Sequence, residues 1–154
     1  MLVSVTTDAS GVQVRELHAE DAAAVARLLR ELGYPAEEAD VRDRIKAWAG
    51  EGRGAALGAL SVNQIVGCAA IYVVPFFERS GSRARLVALV VDSRHRERGV
   101  GRLLLAQASE FARRRGAVEI EVTTRRTRMD ADRFYTRVGF ADVSERSRRY
   151  IAEL

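Results

Sequence analysis

Two glycines one residue apart, Gly99 and Gly101, sit in the basic run "RHRERGVGRLLL" at 94–105, just before the chain turns to leucine. Glycine inside a helix costs about 1 kcal/mol relative to alanine, so its use at a helix start calls for a gain elsewhere. The first backbone N–H groups of a helix have no intrahelical acceptor and together carry about half a positive charge. With no side chains in the way a diphosphate can reach such amides, and Arg96, Arg98 and Arg102 add formal charge around them. A tight turn beside solvated arginines would use the same residues, and the leucines after it are core. The run is not a Walker A loop, which ends in Gly-Lys-Ser/Thr, nor a dinucleotide G-x-G-x-x-G.

The elements that would position this loop follow from periodicity. "VQVREL" at 12–17 alternates as a short strand. In "EDAAAVARLLRELG" at 20–33, Val25, Leu28, Leu29 and Leu32 share one helical face, acids fill the first turn and Gly33 offers a stop. Pro35 opens a second helix with an apolar stripe of Val41, Ile45 and Trp48. "GAALGALSV" and "IVGCAAIYVV", separated by Asn63-Gln64, read as an antiparallel hairpin ended by Pro75. "ARLVALVVD" at 84–92 is apolar along nearly its whole length, as in a central strand buried on both faces. A helix from about 100 to 115 carries Leu104, Ala108 and Phe111 inward, and "AVEIEVTT" is the next strand. "DADRFYTRVG" at 130–139 is a short helix, and "FADVSERSRRYIAEL" has room for two more strands. The order βααβββαβαββ predicts an α/β (α+β) fold: a mixed, mostly antiparallel central sheet of about seven strands flanked by about four helices. Residues 12–154 are expected to form one domain behind a flexible segment at 1–11.

Composition sets the bounds. The 154 residues are 47% hydrophobic and 30% charged, and no window reaches the roughly 18 apolar residues of a membrane span. The start "MLVSVTTDASG" has neither signal-peptide nor transit-peptide character, so a cytoplasmic location is expected. Cys68 is the single cysteine, and its apolar neighbours suggest a buried thiol in a strand. The net charge of +4 rests on arginine, since Lys46 is the one lysine. Those arginines are dispersed and not interleaved with aromatics, so a nucleic-acid platform is not favoured.

"LVVDSRHRERGVGRLLL" resembles the acetyl-CoA signature of the GNAT superfamily of N-acetyltransferases, in which Arg or Gln is followed after two residues by Gly, and after one more by Gly or Ala. Arg96, Gly99 and Gly101 match. "DADRFYTRVGF" at 130–140 resembles the family's later helix through Phe134-Tyr135 and Gly139-Phe140, and the order of elements over 12–152 is similar to the family's as well. The resemblance implies acetyl-CoA as co-substrate and no metal. It implies that Leu89, Val90 and Val91 pair through their backbone with the pantetheine arm, in the manner of an added strand. Backbone groups of Arg96, Glu97, Arg98, Gly99, Val100, Gly101 and Arg102 would hold the pyrophosphate, with Asp130, Arg133 and Phe134 also near the cofactor. The implied acceptor is a primary amine on a small molecule or a protein, and pairing of exposed strand edges between subunits makes a homodimer an expectation.

Amide formation from a thioester needs a free lone pair. An alkylammonium of pKa about 10.4 is neutral in only about one part in 10³ to 10⁴ at pH 7, so deprotonation matters by roughly 4 to 5 kcal/mol. By resemblance Tyr135 is the catalytic general acid toward the departing sulfur. Val87 and Ala88 stand where the family often has a strand acid, Thr124 where it often has asparagine, and Glu97 where many relatives have glycine. Glu78, Glu119 and Glu121 are other carboxylates from which spacing selects no base, and His18 and His95 are given no role. The leading reading is direct attack in a ternary complex, and the alternative is a non-catalytic acyl-CoA-binding or sensor module. Glu37, Glu38 and Asp40 would suit a cationic acceptor, although acids in a first helical turn are also placed there by the helix dipole.

Overall fold

The computed structural model describes residues 6–7 and 11–154, which fall into two compact units meeting in sequence at Val122 and Thr123. In the first unit the elements are β1 (Thr6–Thr7), β2 (Gln13–Glu16), α1 (Ala22–Leu32), α2 (Glu38–Ala49), β3 (Gly54–Ser61), β4 (Gln64–Pro75), β5 (Ser82–Val91), α3 (Val100–Arg114) and β6 (Ala117–Val122). One sheet runs in the order β1-β2-β3-β4-β5-β6. Every neighbouring pair is antiparallel except β5–β6, which is parallel. A parallel pair needs a crossover, and α3 supplies it. The second unit holds α4 (Met129–Arg137).

Helices cover both faces of the sheet. Leu28 of α1 and Val41 of α2, both fully buried, belong to a cluster that includes Leu17, Cys68 and Val90. Successive strand residues face opposite ways, and Gly67, next to Cys68, turns to α3: a Cβ there would lie 3.1 Å from Leu104 Cδ1. Burial pushes the Cys68 thiol up to about 12, which leaves it protonated and unreactive in the folded chain.

The expected seven strands are not matched. Five of them form, Thr6–Thr7 add a two-residue strand at the sheet edge, and 140–154 contain a single 3-10 turn, Ser144–Arg146, with no strand. Local bonds account for the middle of that segment: Asp142 Oδ1 accepts the Ser144 N–H at 2.8 Å and the Val143 carbonyl accepts the Arg146 N–H at 2.9 Å. Backbone groups satisfied within the turn are not offered to a ladder. The rest of the segment expected to be flexible, 1–5 and 8–10, lies outside the described residues.

The β3–β4 turn also differs by one residue. Ser61 pairs with Gln64, so the turn residues are Val62 and Asn63, with φ of 48° and 61°. Two left-handed residues suit the twist of a two-residue hairpin, but valine is β-branched and poorly tolerated there. Val62 is 92% exposed and gives up no packing when replaced. Val62→Asn is expected to stabilise the protein by about 1 kcal/mol, raising the melting temperature by roughly 2–4 °C in a thermal scan. An unchanged or lower melting temperature would show that the left-handed valine carries no strain.

Candidate active site

The site is built where β5 outruns β6. Their parallel rungs extend to Leu86↔Val122, where β6 ends, while β5 stays paired with β4 as far as Gly67↔Val91. The β4 register steps from Ala70↔Ala88 to Ile71↔Leu86, leaving Val87 as an unpaired bulge residue at the place where the two parallel strands part. The Asp92 N–H donates to the Val66 carbonyl at 2.8 Å. Antiparallel pairs alternate between bonded and non-bonded rungs, so Leu89 and Val91 turn their N–H and C=O groups away from β4, whereas Val90 turns its own toward β4. Beyond Val122 no strand among the described residues covers that side of β5. Two backbone donors and two acceptors therefore face a free edge, one of them engaged as described below.

The loop from β5 to α3 is held by two carboxylates that sequence reasoning passed over. Asp92, 1% exposed, accepts from Arg94 three times, from the backbone N–H at 2.9 Å, from Nε at 3.1 Å and from Nη2 at 2.9 Å. Those bonds hold its carboxyl well below the usual carboxylate range. Arg27 Nη2 lies 3.7 Å from it, and His95 Nδ1, buried and without a hydrogen bond, 3.6 Å. Glu31, in the last turn of α1, accepts the Ser93 N–H at 3.1 Å and faces Arg96 Nη2 at 3.5 Å. Arg96 Nε in turn donates to the Val91 carbonyl at 3.1 Å. An aspartate ending a strand and bonding the N–H two residues on is a turn signal that could have been read from the sequence. The reach of Glu31 across 62 positions could not.

After this clasp the chain passes through two left-handed residues, Glu97 at φ 60° and Gly99 at φ 84°. Glycine takes that conformation freely, and a Cβ on Gly99 would have no neighbour within 4 Å, so the space beside it is open. The first helical bond of α3 runs from the Leu103 N–H to the Gly99 carbonyl at 3.0 Å. The amides of Val100, Gly101 and Arg102 precede it and have no helical acceptor. Arg98 and Arg102 are exposed, while Val100 is buried and anchors the turn. Leu89, Val91 and residues 96–102 thus gather a free strand edge and an electropositive helix start within one unit, and these fit a diphosphate joined to a peptide-like arm.

In the second unit α4 carries Asp130, Arg133, Phe134 and Tyr135. Asp130 and Arg133 are exposed, and Asp130 lies 3.7 Å from Arg128 Nη2. The helix closes with Gly139 at φ 95°, its N–H on the Thr136 carbonyl and the Phe140 N–H on the Tyr135 carbonyl, a Schellman motif. This closure folds the Phe140 ring to 5.3 Å from Tyr135, which also meets Phe134 edge-on at 5.2 Å. Burial pushes the Tyr135 phenol up to about 12 against the opposing charge of Arg128, so it stays protonated at neutral pH. Among the described residues no group of three His, Cys, Asp or Glu could hold a metal ion, and no helix is long and apolar enough to cross a membrane.

Comparison with known proteins gives the family and the fold. The model of the acetyltransferase (GNAT) family matches residues 17–140, from the end of β2 to the Gly139-Phe140 closure, and the chain belongs to that family. No curated protein matches it. Among solved structures, a transcriptional regulator from Bacillus halodurans C-125 superposes with a TM-score of 0.80 at 24% identity, over 91% of this chain and 99% of that one. A GNAT family acetyltransferase from Staphylococcus aureus gives 0.75 at 23%, over 93% and 98%. Glucosamine-6-phosphate N-acetyltransferase from Arabidopsis thaliana gives 0.75 at 16%, over 92% and 99%. At these identities the likeness is one of fold.

Proposed function

We propose that the protein is an acetyl-CoA-dependent N-acetyltransferase that acylates a primary amine by direct attack in a ternary complex. The observation that carries this reading is the free β5 edge at Leu89 and Val91, lying directly before the unpaired amides at the start of α3. Acetyl-CoA brings a thioester carbonyl that an amine lone pair can attack. The residues of this chain do the rest: Leu89 and Val91 align the pantetheine amides, Val100, Gly101 and Arg102 offer N–H groups to the diphosphate, and Tyr135 offers a proton toward the sulfur. Sequential kinetics in a thiol-release assay over an amine panel support the proposal. Ping-pong kinetics with a trapped acetyl-enzyme would overturn it.

A non-catalytic acyl-CoA-binding module remains a second reading because of one observation. Both carboxylates of β6 are committed to arginine: Glu119 to Arg79 and Arg83 at 3.0 and 2.6 Å, and Glu121 to Arg85 at 2.8 Å. Tight acetyl-CoA binding by calorimetry with no turnover of any amine would favour it.

Glu97 offers a direct test of the cofactor loop. Left-handed backbone costs a non-glycine residue about 1–2 kcal/mol, and its carboxylate adds negative charge beside amides meant for phosphate. Glu97→Gly is expected to tighten coenzyme A binding by about two- to five-fold at low salt, with the gain shrinking as salt screens the charge. An equal gain at all salt concentrations would assign the effect to backbone conformation alone.

A further inference from the structure

Val91 presents its carbonyl to the free edge of β5, and that carbonyl is already engaged by Arg96 Nε at 3.1 Å. The same guanidinium reaches Glu31 Oε2 through Nη2 at 3.5 Å, and that oxygen also accepts the Ser93 N–H at 3.1 Å. One arginine therefore already bonds the acceptor that a strand-like ligand would use, and a carboxylate from a different helix faces it there.

We propose that Arg96 is a latch on the ligand-free site and that Glu31 is the positioning residue that keeps it closed. The inference rests on the acyl-CoA reading above. In the free protein the guanidinium stands in for the ligand amide on the Val91 carbonyl. A ligand amide that pairs along the edge displaces it, which frees its charge for the diphosphate at the start of α3. The apparent affinity is the intrinsic affinity reduced by the fraction of molecules with the latch open, so loosening Glu31 raises that fraction. The Glu31 side chain is 27% exposed and that of Arg96 44%, so the pair is screened by solvent and its effect is modest.

The test compares wild type with Glu31→Gln, which keeps an oxygen for the Ser93 N–H and removes the charge that holds Arg96. Two probes are titrated: acetyl-CoA, and pantetheine, which lacks the diphosphate and is uncharged. The variant is expected to bind both about three-fold more tightly. A gain confined to acetyl-CoA overturns the latch, because loss of a nearby negative charge explains it alone. Equal affinities of variant and wild type overturn the latch and leave the acyl-CoA reading standing, whereas a wild type that binds neither probe overturns both. The wild type gives an independent measurement if the variant does not fold. The Arg96 Nε–H proton resonance should be protected from exchange in the free protein and lose that protection when acetyl-CoA is added; a resonance unprotected from the start, or unaltered by acetyl-CoA, overturns the latch.

Discussion

Replacing Tyr135 with phenylalanine is expected to slow turnover by about ten-fold or more while leaving the affinity for acetyl-CoA in place. Burial pushes the Tyr135 phenol up to about 12. A departing thiolate has a pKa of about 8.5, so complete proton transfer from Tyr135 to sulfur would run uphill by roughly 5 kcal/mol. Tyr135 is therefore better suited to donating a hydrogen bond to the developing thiolate than to protonating it outright. The ammonium formed when the amine attacks is the stronger acid and can supply the final proton. This keeps the expected loss nearer the low end for acid catalysis and predicts no fall in rate from Tyr135 ionisation below about pH 11. Steady-state kinetics with calorimetry on the same variant checks both halves. An unchanged kcat would remove Tyr135 from the mechanism.

Leu104→Ala is expected to carry the largest cost in stability, about 3 kcal/mol or a fall of roughly 6–12 °C in melting temperature. Leu104 is fully buried in α3, and its Cδ1 reaches the position beside Gly67 where any other residue of β4 would place a Cβ. Truncation leaves a cavity over Gly67, which has no side chain of its own to refill it. The cavity would lie one turn beyond the amides of Val100, Gly101 and Arg102, and coenzyme A binding is expected to weaken along with the melt. Chemical denaturation of the variant measures the first effect, and a loss below about 1 kcal/mol would show that α3 settles into the gap.

The elements that form by burying a periodic apolar face were legible in the sequence. Leu28 and Leu29 marked α1, the leucines after Gly101 marked α3, and the apolar run at 84–92 marked β5. The motif residues were legible because their backbones are unusual: Gly99 at φ 84° opens α3 and Gly139 at φ 95° closes α4. What escaped depends on how far pairing extends rather than on which residues pair. Nothing in "AVEIEVTT" announces that the ladder stops at Val122, yet that stop creates the free edge. Val90 and Val91 look equivalent in a continuous apolar strand, and only the register shows that their carbonyls point to opposite sides. Glu31 was given no role, since its partners Ser93 and Arg96 lie far from it in sequence and reach it only through the turn at Ser93–His95. The failure at 140–154 has the opposite cause: strand-forming residues were present, but a local turn at Asp142 and Ser144 claimed the backbone first.

The free edge at Leu89 and Val91 has a consequence for the protein when it is empty. Unpaired strand groups are a template for any other extended chain, and natural sheets protect such places with charged side chains. Arg96, folded onto the Val91 carbonyl, is a protection of that kind. On the proposed function, solubility and ligand binding draw on the same few atoms, so a variant that clears the edge to bind more tightly is expected to leave it uncovered between turnovers. Prolonged storage without coenzyme A is the condition under which such a variant would aggregate first, and added coenzyme would act as its protectant by mass action.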